Sequence, residues 1–240
     1  MDRNGEILVR SVQAERAALD LLIGEWLQRR QETGKRIYCT AGCSNCCTLF
    51  VQTTLAEALL VAERIDADQF KRLEDYVLRQ KDAVAGETDL LIILRKHRAV
   101  IGPCPFLDQF GSCSIYAERP LACRALLSTK DPAWCAVDFS TLDPLERRLY
   151  LESLERQVVA YPVHYAAATQ EAAELAEERI LTRMQSRFGA AVSGNFPLLV
   201  YLASTLDLPE QFKTGSLPPE WPSRLRHNSF FHPLLLDIQN

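Results

Sequence analysis

Apolar residues recur at helical spacing along most of the chain, and this pattern predicts a mainly helical protein. The first repeat stops near Gly34 and predicts an N-terminal helix within residues 1–36. Its expected buried stripe consists of Leu8, Val12, Leu19, Leu22, Ile23 and Trp26. Packing against a core explains this stripe without any catalytic role.

Two more helices are predicted after the first cysteines. Thr54 is expected to cap one of them, with Glu57 three residues later reaching back in a capping box. The next helix is predicted to start within residues 66–68 and to end near Gly86. Its inward-facing residues are Phe70, Leu73 and Val77. The run 90–94 fits a strand or a buried helix equally, because periodicity alone cannot separate the two.

Residues 141–240 are also predicted to be mainly helical. Asp143 is expected to cap a helix that has Pro144 at its first position and is interrupted near Pro162. A longer helix is predicted over 166–188. Its inward-facing residues are Ala173, Ala176, Ile180 and Met184. The proline-rich end of the chain is predicted to form extended segments around short helices.

Residues 100–140 combine glycines and prolines with four cysteines and are predicted to be irregular. The expected fold is therefore mainly α, with helices packed around an irregular, cysteine-rich metal-binding core. The length favours a single domain over 1–240. Its three parts would be an N-terminal helix (1–36), a cysteine-cluster core (37–140) and a helical C-terminal part (141–240).

Composition argues against nucleic-acid and membrane partners. The chain is 48% hydrophobic and 24% charged with a net charge of −4, and it lacks the basic stripe that phosphate binding requires. The run Arg95-Lys96-His97-Arg98 is interpreted as a solvated helix end. No apolar stretch approaches the ~18 residues of a membrane span. The first residues do not resemble a signal peptide, so a cytoplasmic location is expected.

The eight cysteines are the strongest chemical signal, because all of them lie between positions 39 and 135. Disulfides would suit a secreted protein, whereas zinc or an iron-sulfur cluster would suit a reducing compartment. The vicinal pair Cys46-Cys47 cannot form a disulfide with itself without strain, and a chain of this length can bury a core without disulfide bonds. Metal binding is therefore the preferred interpretation.

Close spacing directs Cys39, Cys43 and Cys46 toward one centre. Cys47 directly follows Cys46, so its side chain is expected to point elsewhere unless the backbone folds sharply, and it would serve a second metal or a different iron. The remaining cysteines are farther apart and must be brought in by the fold. Seven or eight thiolates exceed one tetrahedral site, so one four-iron cluster with spare thiols and two linked zinc sites both fit.

The cysteines fall into two blocks with neighbouring residues in a fixed order. The first block is Cys39-Thr-Ala-Gly-Cys43-Ser-Asn-Cys46-Cys47, followed by the helix that contains Glu57. The second is Cys104-Pro-Phe-Leu107, then Gly111-Ser-Cys113-Ser-Ile-Tyr116, then Arg119-Pro-Leu-Ala-Cys123-Arg124. Together they resemble the CxxCxxCC family of zinc- or iron-chelating proteins, which includes the flagellin lysine N-methylases. The first gap of this chain holds three residues instead of two, and Gly42 eases the extra turn.

This resemblance implies a metal or cluster held by seven cysteines. They are Cys39, Cys43, Cys46, Cys47, Cys104, Cys113 and Cys123. Cys135 lies outside the pattern and is either an extra ligand or a plain buried thiol. Arg119 and Arg124 would offset thiolate charge around the cofactor or form ordinary surface salt bridges. Tyr116 would donate to a sulfur or simply pack.

The spacing of Cys39, Cys43 and Cys46 also resembles the cluster motif of radical S-adenosylmethionine enzymes. Those enzymes usually carry an aromatic residue where this chain has Asn45, and their alternating strands and helices are not predicted for this chain. No P-loop, G-x-S-x-G or H-E-x-x-H motif is present. The histidines are expected at the surface or in packing. They are His97, His164, His227 and His232.

The leading hypothesis is a cytoplasmic iron-sulfur protein whose cluster, in the [4Fe-4S] form, is held by the two cysteine blocks. The second is a zinc-binding structural or interaction module. The third is a cluster-dependent protein lysine N-methylase that uses S-adenosylmethionine. The sequence predicts a protein partner or protein substrate without naming it, and it predicts no oligomeric state.

Overall fold

The computed structural model describes residues 3–36 and 38–239. Over these ranges the chain forms eleven α-helices and one small three-stranded sheet, which confirms the predicted mainly helical class. None of the helices described is both long and apolar enough to span a bilayer.

Three of the helices are long, and the other helices and all the strands are short. The helices are α1 (Arg3–Glu32), α2 (Leu55–Ala62), α3 (Ala67–Val84), α4 (Leu90–Lys96), α5 (Leu121–Ala125), α6 (Ala133–Ala136), α7 (Pro144–Glu152), α8 (Ala167–Phe188), α9 (Phe196–Thr205), α10 (Leu208–Thr214) and α11 (Trp221–Arg226). The strands are β1 (Gln52–Thr54), β2 (Ala191–Asn195) and β3 (Leu236–Gln239). Short 3₁₀ turns occupy Asn45–Thr48 and Tyr116–Glu118, and a π turn occupies His97–Ile101.

The centre of the core is the packed pair α2 and α9. Both helices are apolar on nearly every side, and such helices are stable only when neighbours cover them. The pair α1 and α8 packs beside them, and α8 also lies against α5. Glu15 of α1 binds Arg179 and Arg183 of α8 at 2.7 and 2.9 Å, which fixes how these two long helices meet.

The sheet, which the sequence did not predict, is antiparallel in the order β1-β2-β3. Gln52 pairs with Asn195, and Ala191 pairs with Gln239. Gly194 permits the close approach of the last strand, because a Cβ there would lie 2.3 Å from the Leu235 carbonyl oxygen. Strand β1 leads directly into α2, and strand β2 leads directly into α9. The sheet therefore holds the segment that follows the first cysteine block against the core.

Most of the predicted helix patterns are confirmed. The helix over 1–36 ends at Glu32. Residues Leu8, Val12 and Leu19 are buried as expected. Leu22, Ile23 and Trp26 are only half-buried, since the second half of α1 contacts surface segments, for example through Arg30 and Glu155 at 3.3 Å. The inward side predicted for 166–188 is buried throughout in α8.

The two predicted helix caps are confirmed, with one difference, and the helix predicted to start within residues 66–68 begins at Ala67. Asp143 caps α7, and Asp66 forms a capping box in front of α3. The hydroxyl of Thr54 accepts from the backbone N–H of Glu57 at 3.3 Å. The Glu57 carboxylate does not close the box on the backbone. It accepts instead from the Thr53 hydroxyl at 2.7 Å and from the Leu121 N–H at 2.8 Å.

Three local expectations were wrong. The run 90–94 is neither a strand nor a buried helix, because α4 leaves most of its side chains exposed, including Leu91 at 63%. The expected solvated helix end at 95–98 contains a buried residue, His97. The helix expected to continue from Asp143 toward Pro162 ends at Glu152. Residues 100–140 are mostly irregular, as predicted, but include two short helices, α5 and α6.

Candidate metal centre

Six of the seven cysteines that the family resemblance implies as ligands line one cavity. They are Cys43, Cys46, Cys47, Cys104, Cys113 and Cys123. The cavity has a volume of about 70 Å³, and its remaining wall is largely apolar, with Leu49, Val51 and Phe196 among its lining residues. We call it the thiol cavity. Its position beside the start of α9 places a cluster of soft ligands at the edge of the core.

Sharp backbone turns present the first cysteine block. The N–H of Cys43 donates to the Thr40 carbonyl at 3.2 Å, and the N–H of Cys47 donates to the Ser44 carbonyl at 2.9 Å. Gly42 has φ of 88°, a value that glycine adopts readily. Because the 3₁₀ turn over Asn45–Thr48 folds the chain tightly, Cys46 and Cys47 both reach the thiol cavity. Cys47 was expected to point elsewhere unless the backbone folds sharply. The backbone does fold sharply here, and Cys47 lines the same cavity as Cys46.

A compact loop presents Cys104 and Cys113. The N–H of Cys104 donates to the Cys47 carbonyl at 2.8 Å, which ties the second block directly to the first. Farther along, Leu107 and Cys113 form an isolated antiparallel bridge. The Asp108 carboxylate accepts from two backbone N–H groups of the same loop at 2.8 Å each. These bonds hold the two cysteines against the cavity without regular secondary structure.

Helix α5 presents Cys123, and Glu57 fixes the start of that helix. The Glu57 side chain is fully buried and accepts from the N–H of Leu121, the first residue of α5. Arg16 of α1 lies 3.9 Å from the same carboxylate. Three elements that are distant in sequence therefore meet at Glu57, and this junction positions Cys123.

Cys39 and Cys135 lie apart from the lining of the thiol cavity. Cys39 accepts from the Ser128 N–H at 3.1 Å. Cys135 is buried, with its sulfur 3.3 Å from Nε2 of His164, and Tyr150 holds the other nitrogen of that ring at 2.9 Å. Cys39 was expected with Cys43 and Cys46, but Ser128 holds it beside the cavity instead.

The environment of these thiols favours their neutral form. Burial raises the pKa of Cys104 to about 12 and that of Cys39 to about 11. Burial also raises the pKa of Cys123 well above its ordinary value. The pKa of Cys46 rises because Cys47 hydrogen-bonds to it and because it is buried. A metal bound here must displace these protons, since thiolates are the ligands.

Arg119 and Tyr116 also line the thiol cavity, and Arg124 does not. The Arg119 guanidinium stacks 3.7 Å from the centre of the Tyr116 ring, and its charge opposes the rise in the pKa of Cys46 and Cys123. Arg124 instead binds Asp20 of α1 at 2.8 Å. The two arginines thus differ in position: Arg119 is beside the thiols, and Arg124 joins the second block to α1.

Sequence reasoning missed two polar residues of the cavity wall, His97 and Tyr76. Both are buried, and the Tyr76 hydroxyl lies 3.4 Å from each ring nitrogen of His97. The charged neighbours of His97 gave no sign of its burial. Of the other histidines, His164 is buried, while His227 is exposed and His232 binds the carbonyl of Glu87 at 3.0 Å.

An open groove of about 800 Å³ adjoins the thiol cavity, and Leu49, Val51 and Leu126 line both spaces. Its lining includes Glu174 and Glu177 of α8. One carboxylate oxygen of Glu177 is buried without a hydrogen-bond partner. Burial, with the nearby acidic side chains, raises the pKa of Glu177 to about 8. The groove therefore combines apolar walls with carboxyl groups and with the guanidinium groups of Arg95 and Arg98.

The donor set of the thiol cavity suits a soft metal. Thiolate ligands select zinc, copper(I) and iron-sulfur clusters over hard cations. All eight cysteines are free thiols. Over residues 3–36 and 38–239, no three Cys, His, Asp or Glu side chains are already gathered as a compact set for one metal ion. The thiols surround the cavity rather than a single point within it.

Comparison with known families supports this chemistry. Residues 38–139 match the CxxCxxCC family, described as a "putative zinc- or iron-chelating domain". The match spans both cysteine blocks and less than half of the chain, and it confirms the family resemblance predicted from the motifs. Residues 38–139 are therefore similar to a zinc- or iron-chelating domain. Comparisons with curated proteins and with solved structures gave no match.

Proposed function

We propose that this protein holds an iron-sulfur cluster, in the [4Fe-4S] form, within the thiol cavity and acts in the cytoplasm. The observation that carries the proposal is the convergence of six cysteines on one cavity. A structural zinc ion needs four ligands, and four thiolates likewise suffice for a four-iron cluster. Six thiols thus provide a complete ligand set for either group, with two to spare in each case, and the volume of the cavity favours the larger group.

The size of the cavity also supports a group larger than one ion. A buried site needs about 10–15 Å³ to hold a single water molecule. The thiol cavity offers about 70 Å³. A multi-atom inorganic cluster would use this space, and the apolar wall around it would limit access of water.

The cysteines lining the cavity would be the ligands, and a bound cluster would supply one-electron redox chemistry. The protein's own residues would then set the environment. Arg119 at the cavity offsets negative charge, as anionic sulfurs gathered in one place require. Hydrogen bonds such as that from the Cys104 N–H to the Cys47 carbonyl hold the two blocks together.

Two sets of serine substitutions test the location of the cluster. The cavity variant Cys43→Ser/Cys46→Ser/Cys104→Ser/Cys123→Ser leaves two thiols in the cavity, too few to hold a cluster. The matched control Cys39→Ser/Cys135→Ser removes only thiols outside it. Iron and acid-labile sulfide are measured after anaerobic purification, with circular dichroism to verify the fold.

The cavity variant is expected to lose nearly all iron, while the control keeps the wild-type content. Full iron in the cavity variant, or loss confined to the control, would overturn the proposed site. Stoichiometric zinc without iron in the wild type would support a zinc-binding structural or interaction module instead. Such a protein would be colourless and would unfold on chelation.

A second candidate function is methylation of protein lysine with S-adenosylmethionine, and the open groove favours it. The groove adjoins the thiol cavity through Leu49, Val51 and Leu126, and the Glu174 carboxylate in its lining suits a cationic side chain. Equilibrium binding decides this candidate. Protein with its cluster intact should bind S-adenosylmethionine, and absence of binding would remove the methylase from consideration.

A further inference from the structure

His97 occupies an unusual place in the thiol cavity. Its ring is part of the cavity wall together with the six cysteines, and the residue is only 2% exposed. It stands where the α4 helix widens into the π turn His97–Ile101. Single π turns within helices occur frequently at functional sites, because they re-aim a side chain that a regular helix would point elsewhere.

The hydrogen bonds of His97 determine which ring nitrogen is free. Its Nε2 lies 3.1 Å from the carbonyl oxygen of Leu49. A carbonyl oxygen can only accept, so Nε2 must carry the proton and Nδ1 must hold the free lone pair. The Tyr76 hydroxyl is 3.4 Å from both nitrogens, too long for a strong hydrogen bond to Nδ1.

The surroundings also hold the ring in place and keep it neutral. The Phe50 ring meets the imidazole edge-on with centroids 5.4 Å apart. Leu49 follows Cys47 by two residues, so the bond from Nε2 ties His97 to the first cysteine block. Burial lowers the pKa of His97 to about 4. A metal-binding histidine commonly donates its second N–H to a backbone carbonyl, which fixes the tautomer, and His97 has this arrangement.

We propose that His97 supplies a nitrogen ligand, through Nδ1, to the metal group held by the cavity cysteines. The proposal rests on the proposed function, because it needs a metal in the thiol cavity. It changes the ligand set from sulfur alone to sulfur with one neutral imidazole. Imidazole in place of thiolate lowers the negative charge on a cluster and raises its reduction potential.

Pulsed electron paramagnetic resonance on the wild-type protein tests this ligand directly. The protein is labelled with ¹⁵N-histidine, loaded with iron and sulfide without oxygen, and reduced to a paramagnetic state. The spectrum is expected to show the hyperfine coupling of a nitrogen bonded to iron. In His97→Gln that coupling should vanish while iron content stays near wild type, because the six cavity cysteines remain and the glutamine amide can still donate to the Leu49 carbonyl.

His164→Gln is the matched control, since His164 is equally buried but borders Cys135 rather than the thiol cavity. It should leave the nitrogen coupling unchanged. A cluster-loaded wild type with no bonded nitrogen overturns the histidine ligand while the cluster proposal stands, and this result requires no variant to fold. A wild type that binds no metal overturns both. If zinc binds instead, X-ray absorption must show imidazole scattering that His97→Gln removes, and a sulfur-only spectrum refutes the ligand.

Discussion

Glu57 is the buried junction on which the position of Cys123 depends, and Glu57→Gln perturbs it with little change in shape. The carboxylate accepts from the hydroxyls of Thr53 and Thr54 at 2.7 and 3.2 Å and from the Leu121 N–H at 2.8 Å. It also lies 3.9 Å from Arg16. Glutamine removes the charge and replaces one acceptor oxygen with a donor.

The expected loss follows from these contacts. Hydrogen bonds to a charged group contribute roughly 1.5–3 kcal/mol each, and breaking a buried ion pair costs about 3–5 kcal/mol. The single side-chain oxygen of glutamine can still accept from the Leu121 N–H, and Glu118 still pairs with Arg16 at 3.1 Å. We therefore expect Glu57→Gln to lower the free energy of unfolding by about 2–4 kcal/mol.

Urea unfolding at pH 7, followed by circular dichroism, measures this loss. The matched control is Glu63→Gln at the other end of α2, where the carboxylate pairs with Lys213 at 3.1 Å in a partly exposed bridge. Such a pair contributes at most about 1 kcal/mol. A loss for Glu57→Gln no greater than that of the control would refute the role assigned to this junction.

Three other changes give separate predictions. Because burial raises the pKa of Glu177 to about 8 from 4.5, the folded protein should lose stability as pH rises from 4.5 to 8, by up to about 1.4 kcal/mol per unit. Glu177→Gln should flatten that slope in urea titrations, and an unchanged slope would contradict it. Arg119→Gln should make the reduction potential of a bound cluster more negative in redox titrations, whereas Arg124→Gln should not. Equal shifts in the two variants would refute the specific role of the Arg119 charge. Gly194→Ala should yield little folded protein, since its Cβ would lie 2.3 Å from the Leu235 oxygen, and wild-type yield and Tm would refute this.

The sequence predicted the helices well where local signals were strong. Asp143 followed by Pro144 marks the start of α7, and the apolar positions of α8 repeat at helical spacing. The sheet was missed because β2 reads Ala-Val-Ser-Gly-Asn, with small residues and no alternation. Only pairing with distant strands makes that segment extended.

The sequence identified the cysteines of the candidate site, but it did not predict how these residues and their neighbours are arranged in space. Spacing alone placed Cys39 with Cys43 and Cys46, but the N–H of Ser128, far away in sequence, holds Cys39 outside the cavity lining. His97 lies in a charged run that suggests exposure, yet the chain turns its ring inward at the π turn. Both outcomes depend on tertiary contacts that residue spacing does not encode.

The most direct test of the central claim is a metal and sulfide analysis of wild-type protein purified without oxygen, read together with its visible absorption. The account predicts iron and acid-labile sulfide in nearly equal amounts, close to four of each per chain for a [4Fe-4S] cluster, and a brown protein. One or two zinc ions per chain with neither iron nor sulfide, in colourless protein, would contradict it.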